Sequence, residues 1–309
     1  MTEVTDVTAV VIRYALYANL MLLFGVPAFA LYSVSLAEPA GRTIHMIRGS
    51  VLVLAIAALL LSIIGMAVLC AAMAGVPVME VDRETVDLVV TQTPIGAAWI
   101  LRMAALLAIA AIGLAMRRGT LITMLCAGIA LATLAWTGHG AAGEGNAGWI
   151  QLAADIVHLL AAGIWIGALA VFAVILTRPA KRMTDEDIGA VAEALDRFAA
   201  VGTIVVVLLI ATGLISSVML VGIENVAALP NTLYGQLLII KLMLFAAMLV
   251  LAAANRWRLT PALVHSTDFG DRQSAVKALR RSLAAEVVAA ALILGLVAWL
   301  GTLSPPLAA

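Results

Sequence analysis

Two histidines, three sulfur side chains and three charged residues are the groups in this chain whose type and spacing suit chemistry. His139 lies in W-T-G-H-G (136–140), and His158 lies in D-I-V-H-L-L (155–160), three residues after Asp155. A spacing of three puts Asp155 and His158 on one helix face, and Gln151 extends the same stripe. The surrounding segment is apolar, and an ionisable group at membrane depth is costly enough to mark a functional site by default. Imidazole suits copper, zinc, iron and nickel, so the histidine pair names no metal by itself. Met66, Cys70 and Met73 follow at i, i+4 and i+7 and present three sulfurs along one face of another helix. Thioether and thiolate ligands select Cu(I), although methionine is also an ordinary core filler.

The elements that must position these groups follow from composition. Of 309 residues, 64% are hydrophobic and 12% charged, against about 45–50% and about 25% in a soluble domain. The chain is a polytopic membrane protein. Its net charge is zero, so it offers no basic surface for nucleic acid. Two cysteines make no disulfide framework, and Cys70 and Cys126 are expected roughly 20 Å apart in depth, beyond disulfide reach. The first apolar run follows an acidic start, Thr2-Glu3-Val4-Thr5-Asp6, and is expected to be a retained helix and not a signal peptide.

Eight apolar segments are long enough to span a bilayer at roughly 20 residues each: about 9–36, 50–75, 94–116, 120–137, 150–176, 198–222, 234–254 and 283–303. The backbone must satisfy itself in lipid, and the alternation of a membrane barrel is absent, so the expected fold is all-α. The expected architecture is one transmembrane domain over 1–309, an eight-helix bundle. The acidic stretch 76–93 and the basic stretch 255–282 are expected to be solvated connectors, the latter with a short surface helix near 271–282. Gly163 and Gly167 form a small-x-x-x-small pair for close helix packing.

Fourteen of the 18 Lys and Arg fall in the four loops on one side, and Arg83 alone lies in a loop on the other. The positive-inside rule then puts both termini in the periplasm. With that orientation, Asp155 lies about 8 Å into its helix, Lys241 about 10 Å, Arg102 about 11 Å and His158 about 12 Å. Three helices bring these four ionisable groups to one level of the outer half, with His139 at the same side. The shared depth of Arg102, Asp155 and Lys241 predicts at least one ion pair. His45 and His265 are expected in cytoplasmic loops. No phosphate-binding glycine loop, G-x-S-x-G or H-E-x-x-H is present, and no enzyme activity is expected.

W-T-G-H-G (136–140), D-I-V-H-L-L-A-A-G-I-W-I-G-A-L (155–169), Y-G-Q-L-L-I-I-K-L-M-L-F (234–245), N-R-W-R-L-T-P-A-L (255–263) and R-R-S-L-A-A-E (280–286) together resemble the copper resistance D (CopD) family of inner-membrane proteins. One departure is Ala168, where the family pattern favours a second glycine. The resemblance implies a copper ion as the metal and inward copper transport as the activity. It also implies a periplasmic CopC-like carrier as partner, and His139 and His158 as ligands; the sulfurs of Met66, Cys70 and Met73 are further candidate metal ligands from their spacing alone. Asp155, Lys241 and Asn255 are family positions without an implied role. The competing reading is a b-type haem held axially by His139 and His158.

Overall fold

The computed structural model describes residues 7–33, 39–115, 120–138, 145–177, 184–265 and 269–304. Among them there is no strand. Ten α-helices follow in order: α1 (Val7–Tyr32), α2 (Pro39–Ala74), α3 (Arg83–Gln92), α4 (Pro94–Ala115), α5 (Thr120–Ala132), α6 (Gly145–Leu176), α7 (Asp185–Val221), α8 (Leu233–Ala254), α9 (Thr260–Val264) and α10 (Phe269–Leu300). Eight stretches are long and apolar enough to cross a membrane, in the order expected from the sequence. α5 reaches spanning length together with the 3-10 turn Thr133–Thr137 that continues it, and α3 and α9 are too short.

Local chemistry sets several helix ends. Thr93 precedes Pro94, and its hydroxyl accepts the Gly96 N–H at 3.1 Å, a threonine N-cap followed by proline at the first helical position. Thr232 starts α8 in the same way, accepting from Gly235 N at 3.1 Å. Asp82 caps α3 through Thr85 N at 2.7 Å, and hydrogen bonding from the Thr85 hydroxyl and then its backbone N–H holds the carboxyl below its usual range. The cap is therefore present at neutral pH and is lost as pH falls through the carboxylate range.

Three connectors expected from hydropathy are helical. The stretch 76–93 contains a short 3-10 turn at Val78–Glu80 and then α3. The surface helix near 271–282 is the first part of α10, which runs unbroken to Leu300. Nothing in K-A-L-R-R-S-L-A-A (277–285) breaks a helix, so polarity changes there while backbone conformation does not. His45 lies within α2, which begins at Pro39, and not in a loop. Beyond α8 the chain makes a π-helical turn, Asn255–Leu259, before α9. Pro261 has no N–H for the Trp257 carbonyl and crowds it, which is a sufficient local cause of the widened turn.

α1 and α6 form the centre. α1 packs on α2, α5, α6 and α10, and α6 packs on α1, α7, α10 and α5. One apolar cluster, including Leu20, Leu23, Leu106, Ile109 and Leu131, lies among α1, α2, α4 and α5. A second, including Phe29, Trp165, Phe172, Leu209 and Leu279, lies among α1, α6, α7 and α10. Exposed Ile56, Leu60 and Ile63 on α2 and Ile204, Val207 and Leu214 on α7 make apolar faces suited to lipid. Trp149 and Trp257, both about 70% exposed, stand near opposite ends of the bundle, where indole anchors to a membrane interface.

The α1–α6 contact is backbone on backbone. A Cβ on Gly25 would lie 1.9 Å from Gly163 O, and one on Gly167 would lie 2.1 Å from Gly25 C. The expected close-packing pair thus serves the contact of α6 with α1. At Gly163 a Cβ would meet only side-chain atoms, Phe24 Cδ1 at 2.9 Å and Leu131 Cδ2 at 3.0 Å. Overpacking typically costs about 1–3 kcal/mol, more where backbone cannot yield. Gly25→Ala and Gly167→Ala are expected at or beyond the top of that range, Gly163→Ala below them, and Gly295→Ala, with open space around it, near neutral. Thermal unfolding of the four variants in detergent checks the order.

Candidate functional site

α6 and α7 run antiparallel, and each brings two polar residues one turn apart to their contact. Asp155 and His158 come from α6, Thr212 and Ser216 from α7. Ser216 Oγ donates to Asp155 Oδ1 at 2.9 Å. His158 Nδ1 lies 2.9 Å from Thr212 Oγ1. The reversed order of the pairs is what antiparallel helices require: 155 meets 216, and 158 meets 212.

Thr212 decides the histidine tautomer. Its single hydroxyl proton is directed to Leu208 O at 2.6 Å, so Oγ1 offers His158 only lone pairs. We therefore assign the ring proton to Nδ1, which donates to Thr212 Oγ1 in this tautomer. Nε2 is left with its lone pair and has no hydrogen-bond partner among the described residues. A histidine whose Nδ1–H is engaged and whose Nε2 is free is a pre-oriented metal ligand.

Lys241, from α8, acts electrostatically on both Asp155 and His158. Tyr234, in the first turn of α8, also feels Asp155. No Asp155 ion pair at or below 4.0 Å occurs among the described residues. The carboxylate is held by a hydroxyl, with the ammonium acting from further away.

Arg102 does not join this group. It is 3% exposed and donates to Thr133 Oγ1 at 2.8 Å and to Thr133 O at 3.3 Å. Thr133 begins the 3-10 turn Thr133–Thr137 that follows α5. Arg102 thus satisfies groups at a helix C-terminus, where a cation also opposes the dipole. Shared depth with Asp155 does not place it beside Asp155.

The sulfur stripe lies elsewhere. Met66 and the fully buried Cys70 pack with Val89 of α3 and with Trp99, while Met73 is 57% exposed. α2 packs on α1, α3 and α4, whereas His158 lies at the α6–α7 contact. Both cysteines are free. His139 lies outside the described residues. The chain leading to it is anchored where Arg13 Nη2 donates to Thr137 O at 3.3 Å, at the end of the bundle where α1 begins and α10 ends. His265 caps α9 and pairs its Nδ1 with its own turn at Pro261 O, 2.7 Å. Among the described residues, no three of His, Cys, Asp and Glu group closely enough to hold a metal.

Thr212 and Ser216 were not singled out from sequence. The signal was present: two hydroxyls at i and i+4 in an apolar run, matching the Asp155–His158 spacing. Glu286 was likewise overlooked as an acid inside the eighth apolar segment; it is 2% exposed and accepts from Asn255 Nδ2. Thr212→Val removes the acceptor for Nδ1 and should release the tautomer, whereas Thr212→Ser should retain it. Nitrogen NMR of the metal-free protein, with His158 assigned by its alanine variant, reads the difference directly. A wild-type Nε2–H signal would refute the assignment.

Profiles of known families match both halves of the chain. The copper resistance protein D-like N-terminal domain matches residues 1–149 and copper resistance protein D matches residues 192–300. Copper resistance protein D of Pseudomonas syringae pv. tomato is 39% identical, over 98% of this chain and 99% of that protein. Inner membrane protein YebZ of Escherichia coli (strain K12) is 27% identical over 84% of this chain and 87% of its own length. Copper transport protein CutJ of Bacillus subtilis (strain 168) is 31% identical, over 39% of this chain and 21% of its own. No solved structure matches. With 39% identity held across nearly the full length and eight apolar helices of spanning length, the chain belongs to the copper resistance protein D (CopD) family of multi-pass membrane proteins.

Proposed function

We propose that this chain carries copper across the inner membrane, from the periplasm toward the cytoplasm, loading it at a site built on His158 and His139. The observation that carries the reading is the His158–Thr212–Leu208 chain of hydrogen bonds, which leaves Nε2 as a free ligand atom. His139 follows the anchored turn Thr133–Thr137 on the side where α6 begins and supplies a second imidazole. Asp155 and Lys241 tune the charge around the incoming cation. A periplasmic CopC-like carrier is the donor this placement suits. Met66 and Cys70 pack beneath α3 and are left out of the histidine site.

Direction rests on orientation. The basic stretches 255–258 and 277–281 lie at one end of the bundle, and the acidic 80–87 stretch at the other. In a strain lacking Cys70 and Cys126, a cysteine replacing the exposed Met79 should react with an impermeant maleimide from the periplasm. One replacing the exposed Ser274 should not. The opposite pattern would invert the direction.

His139→Ala and His158→Ala should each lower the copper retained by purified protein and the copper accumulated by cells. His265→Ala should change neither. The double change should be little worse than either single, because ligands of one site act as a unit. Wild-type copper content in the double variant sinks the assignment. Full binding with lost accumulation makes the histidines a gate. An absorbance spectrum of the purified protein with haem bands would favour the b-type haem reading instead.

A further inference from the structure

A second polar cluster lies far from His158, at the basic end. Asn255 opens the π-helical turn after α8, and Ser282 and Glu286 stand one turn apart on α10. All three side chains are nine-tenths or more buried: Asn255 6%, Ser282 9% and Glu286 2% exposed. Asn255 Nδ2 donates to Glu286 Oε1. Asn255 Oδ1 and Ser282 Oγ have no partner among the described residues. Lys241 and Asn255 are 14 residues apart along α8, about 21 Å, so the cluster sits in the other half of the bundle from His158.

The make-up of the cluster points to its ligand. Its donors are all oxygen, a hard set without sulfur or imidazole, and poorly matched to Cu(I). No charged side chain among the described residues acts on Glu286. The charged groups on the packed elements face elsewhere. Arg13 of α1 lies at the far end, beside Gly301. Asp155 and His158 of α6 and Lys241 of α8 belong to the first site. Arg256 donates to Ala199 O and Thr203 Oγ1 of α7, and Arg258 is exposed. On α10 itself Lys277 and Arg281 are exposed, and Arg280 is half-buried off the Ser282–Glu286 stripe. On α7, which also meets the turn, Arg197 pairs Glu193 at 2.7 Å.

A buried carboxyl kept only to neutralise a cation would face Arg or Lys. Glu286 faces an amide and a hydroxyl instead. Both groups donate and accept. The amide can donate to the carboxylate as it does here, or turn its unpartnered Oδ1 to the O–H of the carboxylic acid. The site can hold either protonation state without stranding a charge partner. The π turn that sets Asn255 against α10 is a feature frequent at functional sites. We infer that Asn255, Ser282 and Glu286 form a reversible proton-binding site in the half of the bundle opposite His158. Under the proposed copper transport, such a site lets a proton leave as a cation arrives, and that role rests on the transport reading.

Infrared titration of the full chain in lipid nanodiscs, without copper, tests the site by itself. A protonated-carboxyl band should appear and vanish reversibly with pH in the wild type and be lost in Glu286→Gln. Glu286→Asp should shift the band without removing it, which separates loss of the carboxyl from loss of the fold. Asn255→Leu, which leaves the carboxyl but removes its amide, should move both the band and its midpoint. Replacing sodium by potassium should change nothing. A band that survives Glu286→Gln, one that never titrates, or a midpoint that follows sodium overturns the proposal. Copper is absent throughout, so failure here leaves the copper reading untouched, and failure of that reading leaves this result standing.

Discussion

The contact between the α1 and α6 backbones at Gly25, Gly163 and Gly167 is the constraint on which the rest of the bundle depends. Lipid is as apolar as a leucine side chain, so helices in a membrane are held by close packing and interhelical hydrogen bonds rather than by expulsion from water. A Cβ on Gly25 would lie 1.9 Å from Gly163 O, so the backbones approach as far as they can. This contact joins the helices of the N-terminal half to those of the C-terminal half. It also sets the rotation of α6 about its axis. With the glycine face turned to α1, Asp155 and His158 meet α7.

That rotation converts two residues at i and i+3 into a site. The antiparallel partner contributes Thr212 and Ser216 at i and i+4, each hydroxyl opposite one ionisable group. Hydroxyls suit this work in an apolar slab, because one oxygen both donates and accepts. Thr212 spends its proton on its own helix and presents lone pairs to the imidazole, whereas Ser216 donates to the carboxylate. The result is an imidazole of defined tautomer beside a hydrogen-bonded carboxylate, with Lys241 near enough to act on both.

Ionisable residues at membrane depth therefore do different work in one molecule. Arg102 closes the C-terminal end of α5 through Thr133, a structural task suited to the forked guanidinium. Asp155 is held by Ser216, and Lys241 acts on both Asp155 and His158. Glu286 is held by an amide in the opposite half. Rarity in lipid marks each of them as positioned for a reason, and only the identity of the neighbours tells which reason.

By itself the sequence determined the all-α membrane class, eight spanning segments and the family, and it singled out Asp155 and His158. Length and hydropathy are local properties, and in lipid the backbone has no alternative to the helix. Local signals also contained more than hydropathy showed, since the helical stretches 83–92 and 269–282 are polar yet contain helix formers, and Asp82 caps the first of them. Tertiary structure alone decided which residues meet. Depth along a helix is fixed by a count of residues, but azimuth depends on which face each neighbour buries. Arg102 and Asp155 agree in depth and differ in azimuth, so one pairs with Thr133 and the other with Ser216. The sulfurs at 66, 70 and 73 share a stripe, yet α3 covers the first two and leaves the third exposed. Thr212, Ser216, Asn255 and Ser282 are unremarkable polar residues until packing sets them against His158, Asp155 and Glu286, because a hydrogen bond between helices is a property of two faces and is written in neither segment.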